Sequence, residues 1–309
     1  MNNHLLPRLY QAQPSWLNRV LARPLCKFLG EPTRVQQPST AVSFGAGEPI
    51  RVVCVSDTHN ATPSLPPGDI LIHAGDLTAH GTFDELQSQL RWLSTQPHPH
   101  KIVIAGNHDL ILDSKCDEFT VEDNPIQRKK LDWGGVQYLQ NEAVTLDIDH
   151  RRVKIYGSPL SPEFGRWAFQ YPAIRDVWTG AVPEDTEILV VHGPPALYGD
   201  CDEIESSGTF KVKGDGYLLR EIRRVQPKLV VCGHIHGAFG ITRIELDAMK
   251  DVRDAQVLGW GYDLFRIFKA LWSTVTEMYH NHTETLVVNA AFAPGQSVKD
   301  KHAITVDLG

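Results

Sequence analysis

Short apolar runs punctuate this chain, and they are continuous rather than alternating. Val52-Val53-Cys54-Val55, Ile70-Leu71-Ile72, Ile102-Val103-Ile104-Ala105, Ile188-Leu189-Val190-Val191 and Leu229-Val230-Val231-Cys232 are rich in Val and Ile. Runs of this length and kind predict strands buried on both faces. Between them the period changes. Phe83, Leu86, Leu90 and Leu93 share one helical face behind Thr82-x-x-Glu85, a capping-box signature, so a helix is predicted over 82–93. Leu218, Leu219, Ile222 and Val225 predict another over 217–225. Strand-like runs over 285–289 and 303–306 close the chain. Strand and helix alternate, which predicts the α/β class with helices covering a central sheet.

Two segments break that rhythm. In residues 1–48, Trp16, Leu17, Val20, Leu21, Leu25, Phe28 and Leu29 recur at helical spacing, with Arg19, Arg23 and Lys27 between them. Pro24 would kink or end that helix. It is expected either to dock on the domain or hang as an arm, or to touch a membrane surface or partner. Residues 32–47 read as a Pro/Ser/Thr/Gly linker. The main domain is then expected over 49–309, with an aromatic-rich insertion at about 241–283 that includes a helix over about 263–279. The insertion is expected to pack on its own domain, or to serve as a lid, a homodimer contact or a peripheral membrane helix.

Each of the five apolar runs leads into residues that can hold a metal. They are Asp57 and His59, Asp76, Asn107, His192, and His234 with His236. These junctions are expected to meet at the carboxyl edge of one sheet, where open α/β folds place ligands. Two carboxylates, one amide and four imidazoles suit Mn, Fe or Zn better than Mg or Ca. Seven donors exceed what one zinc takes and match two metals sharing a carboxylate.

Composition narrows the partners. A net charge of -7 argues against binding duplex nucleic acid, though not against a phosphate substrate. The five cysteines are odd in number and form no CxxC pair, so a reducing, cytoplasmic setting is expected. No apolar stretch approaches the roughly 20 residues that span a bilayer. Neither GxxxxGK(S/T) nor GxGxxG occurs. His73 is expected to pack or hydrogen-bond within its strand end. His98 and His100, in a Pro-rich turn, are expected to be solvated.

The motifs Asp57-x-His59, Gly75-Asp76, Gly106-Asn107-His108-Asp109, His192-Gly193 and Gly233-His234-x-His236 resemble, in order, those of the calcineurin-like metallophosphoesterase superfamily. Tyr156-Gly157-Ser158-Pro159, Trp167-Ala168-Phe169 and His192-Gly193-Pro194-Pro195 look closer still to the metallophosphoesterase domain-containing, brain 239-type subgroup. The extended N-terminus and the insertion depart from that subgroup. The resemblance implies a four-layer α-β-β-α sandwich and two half-sites. Asp57, His59 and His236 would hold one metal, Asn107, His192 and His234 a second, and Asp76 would bridge them. It implies a hydrolase of phosphate esters, a phosphodiester or nucleotide among them, that uses a metal-bridging hydroxide. His108 would be the proton donor, with Asp109 either orienting its ring or capping the loop. Ser158, Trp167, Phe169 and Pro194 either line a substrate pocket or pack the core. The alternatives are a hydrolase or lyase turned to a non-phosphate metabolite and a low-turnover nucleotide-binding regulator.

Overall fold

The computed structural model describes residues 42–44, 48–116, 124–200, 212–258, 284–294 and 301–309. The N-terminal helix and the aromatic helix expected near 263–279 lie outside them. The chain divides into two compact units, residues 34–243 with 285–309 and residues 1–33 with 244–284.

Two six-stranded sheets dominate the larger unit. The chain passes through β1 (Val42–Phe44), β2 (Ile50–Val55), β3 (Ile70–Ala74), α1 (Phe83–Ser94), β4 (His100–Ile104), α2 (Asn124–Arg128) and β5 (Gln137–Tyr138). It continues through β6 (Glu142–Ile148), β7 (Arg151–Ser158), β8 (Ser161–Pro162), β9 (Gln170–Tyr171), β10 (Ile188–Val191) and α3 (Gly216–Val225). Then come β11 (Leu229–Cys232), β12 (Gly240–Glu245), α4 (Ala248–Val257), β13 (Glu284–Asn289) and β14 (Ile304–Leu308). The first sheet has the order β1-β14-β2-β3-β4-β5 and the second β12-β13-β11-β10-β7-β6. In the first, β2, β3, β4 and β5 run parallel. In the second, β7, β10, β11 and β13 do so.

The period of two along each strand explains the layers. Val52 and Cys54 of β2 and Ile70 and Ile72 of β3 join Ile188, Val190, Leu229 and Val231 of the second sheet in one buried apolar cluster. That cluster is the filling between the sheets. Val53, Val55, Leu71 and Val103 alternate with these residues and pack with Leu86, Leu90 and Leu93 of α1. Leu189, Val230 and Val287 alternate likewise on the second sheet and are also buried, as are Leu218, Leu219 and Ile222 of α3, which lies between β10 and β11 in the chain. The continuous apolar runs thus serve two faces at once, and the larger unit has the α-β-β-α order of the expected sandwich.

Both helices are capped at their N-termini as their sequences suggest. Thr82 and Glu85 form the full capping box on α1. Asp215 accepts from the backbone N–H groups of Tyr217 and Leu218 at the start of α3. Such a cap contributes about 1 kcal/mol. In the smaller unit, Asp247 Oδ1 accepts from Lys250 N–H at 2.7 Å at the start of α4. Among the described residues no helix is long and apolar enough to cross a membrane.

Candidate metal centre

The five junctions do not share one sheet. β2, β3 and β4 of the first sheet carry Asp57, His59, Asp76, Asn107 and His108 at their carboxyl ends. β10 and β11 of the second carry His192, His234 and His236. The expectation of a single sheet edge is corrected for a simple reason. Both sheets contribute parallel strands whose carboxyl ends meet where the sandwich faces touch. The segment after β13 stitches the seam: Ser56 N–H donates to Ala290 O at 3.0 Å, and Phe292 N–H donates to Ser56 O at 2.8 Å.

All seven expected ligands converge there. Asp57, His59 and His236 offer donor atoms within 4.8 Å of one another, as do Asp76, His192 and His234. His236 Nε2 lies 3.1 Å from Asp57 Oδ1 and 3.4 Å from His59 Nε2. His192 Nε2 lies 3.4 Å from Asp76 Oδ1 and 3.0 Å from Asn107 Oδ1. His59 Nε2 stands 3.9 Å from the other oxygen of Asp76, Oδ2, so this carboxylate faces both groups. His108 forms a further group with His59 and Asp76.

The arrangement fits a cation. Asp57 and Asp76 are 0% and 2% exposed, and buried carboxylates need positive charge or hydrogen bonds to stay ionised. His192 Nδ1 donates to Ala74 O at 2.9 Å, and His59 Nδ1 donates to Thr78 O at 3.2 Å. A carbonyl only accepts, so Nδ1 carries the hydrogen and Nε2 is the ligand atom in each neutral ring, as the outer partners of metal-binding histidines arrange. Gly106 and Gly233 make room for the carboxylates, since a Cβ at the first would overlap Asp76 Oδ1 and at the second Asp57 Oδ2. Asp57, His59, Asp76 and His234 all adopt left-handed backbone, with φ of 55°, 43°, 53° and 66°. Each such residue costs about 1–3 kcal/mol, a strain characteristic of functional sites.

Charge is tightly coupled in this cluster. Burial pushes the Asp57 carboxyl up, but the hydrogen bond from His236 and the charges of His192 and His236 outweigh it and hold the group below the usual carboxylate range. Burial lowers His192, yet the charge and hydrogen bond of Asp76 raise it to about 9. Burial, then the charge of His192, brings His234 down to about 4. Of the three, only His192 holds a proton where a cation would otherwise sit beside Asp76.

His108 donates from Nδ1 to Ala79 O at 2.9 Å, and its ring stacks on Trp167 with centroids 4.3 Å apart. Asp109 does not orient that ring. Its carboxylate is buried and accepts from Gly106 N–H, Leu77 N–H, Thr78 N–H and Thr78 Oγ1–H, which makes it the loop-capping group. Burial, then the charge of Asp76, raises its carboxyl to about 6.

Three of the four expected substrate contacts lie inside the fold. Ser158 is fully buried and bonds Asn141 Oδ1 at 2.7 Å. Phe169 packs in the apolar cluster beneath α1. Pro194 is buried, and its carbonyl accepts from Asp215 N–H. Only Trp167 reaches solvent, at 38% exposure. His73 bonds Thr58 Oγ1 at 3.0 Å as expected, and burial brings it down to about 3. His98, expected to be solvated, is buried with Nε2 donating to Pro66 O.

One residue of the site's frame escaped sequence reasoning in this role. The carboxylate of Glu85 accepts from Asn60 Nδ2 at 2.7 Å, His80 N–H at 3.0 Å and Thr82 N–H at 3.2 Å. It ties the loops after β2 and β3 to the start of α1. The capping box pointed to Glu85, but only for its helix.

The profile of a family described as Calcineurin-like phosphoesterase matches residues 50–238. The Emericella nidulans protein named "Probable rhamnogalacturonate lyase C" is 38% identical over 269 residues, 84% of this chain and 24% of that protein. The human "Metallophosphoesterase domain-containing protein 1" is 39% identical over 210 residues, 62% of either chain. This chain therefore spans a quarter to under two thirds of the length of these relatives. The solved structure of TT1561 of Thermus thermophilus aligns over 64% of this chain and 85% of its own, with a TM-score of 0.40 and 13% identity.

Proposed function

Since this chain belongs to the calcineurin-like phosphoesterase family, we propose that it is a two-metal phosphodiesterase acting on a phosphodiester or nucleotide-type substrate. The observation that carries this reading is the position of Asp76. Its two oxygens face two separate imidazole groups, His59 on one side and His192 on the other. Mn, Fe or Zn suits this donor set. Bound there, two such ions would lower the pKa of water and draw off charge from the phosphoryl oxygens.

The chain's own residues supply the rest. Seven side chains from two sheets would hold the ions to which the phosphoryl group binds. Nδ1 of His108 stays on the Ala79 carbonyl. The charged ring therefore has Nε2–H as the proton for the leaving oxygen. Bis(p-nitrophenyl) phosphate turnover by protein stripped with chelator and reloaded with Mn tests the reading. The rate should depend on the metal. Asp76→Asn should remove more than the roughly 10–100-fold that loss of an outer partner costs. A rate indifferent to metal and to Asp76 sinks it.

A second reading is favoured by one observation, the lyase name carried by the relative that shares 84% of this chain. Only 24% of that protein is shared, so its named activity can reside elsewhere in it. Release of unsaturated sugar from rhamnogalacturonan, followed by ultraviolet absorbance, separates the two. Lyase turnover without phosphodiester turnover would favour the second.

A further inference from the structure

We propose that Trp167 is the positioning residue for His108 in this site, a role resting on the hydrolase reading above. Its indole is stacked on the imidazole at an interplanar angle of 29°. His59 meets the same imidazole edge-on, with centroids 4.8 Å apart. The Ala79 carbonyl holds Nδ1 at 2.9 Å. Three neighbours thus restrict a half-buried side chain to one orientation, with Nε2 left for the leaving group. A carboxylate beside the histidine does not do this here, because Asp109 is spent on Gly106, Leu77 and Thr78.

The stack is built into the chain. On one side of the indole, Ala168 N–H donates to the carbonyl of Asn107 at 3.0 Å, tying the loop to the residue beside His108. Phe169 N–H donates to Asp113 Oδ2 at 2.7 Å, its backbone is left-handed at φ 56°, and its ring packs in the core. Trp167 N–H itself donates to Gln170 Oε1 at 3.2 Å. An exposed tryptophan with a backbone pinned this way has little freedom to leave its partner. Trp167 remains 38% exposed, so a flat leaving group can lie against its indole.

In the step concerned, the oxygen of water forms the new P–O bond. The bond to the leaving oxygen breaks with its electron pair on that oxygen. Nε2–H of the His108 imidazolium supplies the proton, and the proton shed by the water passes to solvent. Good leaving groups need little of this help and poor ones need much.

The test compares bis(p-nitrophenyl) phosphate with diphenyl phosphate on Mn-loaded protein. Trp167→Ala should slow the phenyl ester at least about tenfold more than the nitrophenyl ester, since misplacing a catalytic group by about 1 Å can cost roughly 100-fold. Trp167→Phe, which keeps a stacking face, should restore most of the loss. Added to His108→Ala, Trp167→Ala should cost nothing further. A second readout needs neither metal nor turnover. Imidazole NMR of metal-free protein should show His108 in the Nδ1–H form with ring-current shifts that persist in Trp167→Phe and vanish in Trp167→Ala. Equal slowing of both esters, or a His108 spectrum unchanged by Trp167→Ala, overturns the proposal. If the wild-type chain hydrolyses neither ester, the hydrolase reading fails by itself and the spectrum alone decides whether Trp167 holds His108.

Discussion

At the scale of the residue, His108 lies within reach of His59 and Asp76, so it can be read as a ligand or as an acid. Its Nδ1 bond to a backbone carbonyl, that of Ala79, is of a kind that His59 and His192 also make and fits either role, whereas its stack on Trp167 favours the acid. His108→Ala should slow diphenyl phosphate turnover by about 10²–10⁴-fold and leave metal content unchanged by elemental analysis. A fall in bound metal would make it a ligand instead. That the seven candidate donors gather was legible in the sequence, because each follows an apolar run, but that their strands belong to two sheets was not. The role of Asp109 was not legible. It depends on Leu77 and Thr78, more than thirty residues away, coming under its carboxylate. Ser158, Phe169 and Pro194 were open between pocket and core, and all three are buried. Residue type alone does not say which side of a strand end faces the groove.

At the scale of the element, α1 does more than cover a sheet. Glu85 at its first turn holds Asn60, next to His59, and His80, beyond Asp76. Burial pushes the Glu85 carboxyl up, but hydrogen bonds from His80, Asn60 and the Thr82 backbone bring it down to about 2. A depressed carboxylate adds stability above its unfolded pKa of about 4.5 and loses it as pH falls towards 2. Melting temperature of metal-free protein should therefore drop more steeply between about pH 4.5 and 2 in the wild type than in Glu85→Gln. At pH 7 the variant should melt lower. Parallel slopes for the two proteins would contradict this. Thr82→Ala should cost about 1 kcal/mol in denaturant titration, since it removes one half of the box. The parallel strands and both capped helices were readable from period and punctuation. The β6–β7 hairpin was not, because its turn uses Asp149 and His150 at φ 48° and 67° in place of the Asn-Gly or Asp-Gly that marks such turns. β5, β8 and β9, two residues each, are too short for any periodicity to register.

At the scale of the whole molecule, the centre lies on the seam between two sheets that are otherwise held by an apolar layer. A cation bound only by the folded chain stabilises it by mass action, about 2.7 kcal/mol at a free concentration one hundred times the dissociation constant. Chelator should lower the melting temperature, and Mn, Fe or Zn should restore it in calorimetry. Asp76→Asn should respond far less to added metal than the wild type. An unchanged melting temperature on stripping would place the metal off the seam or deny it altogether.

The seam also sets an order of events during folding. Asp57 and His236, which touch in the finished site, are 179 residues apart along the chain. Contacts of that separation form late, because the loop between them must close before anything rewards the closure. Neither sheet alone contains a full set of donors, so no half-folded intermediate can present the finished pocket to a cation. Loading with metal should thus be a completion signal, gained after the sheets dock.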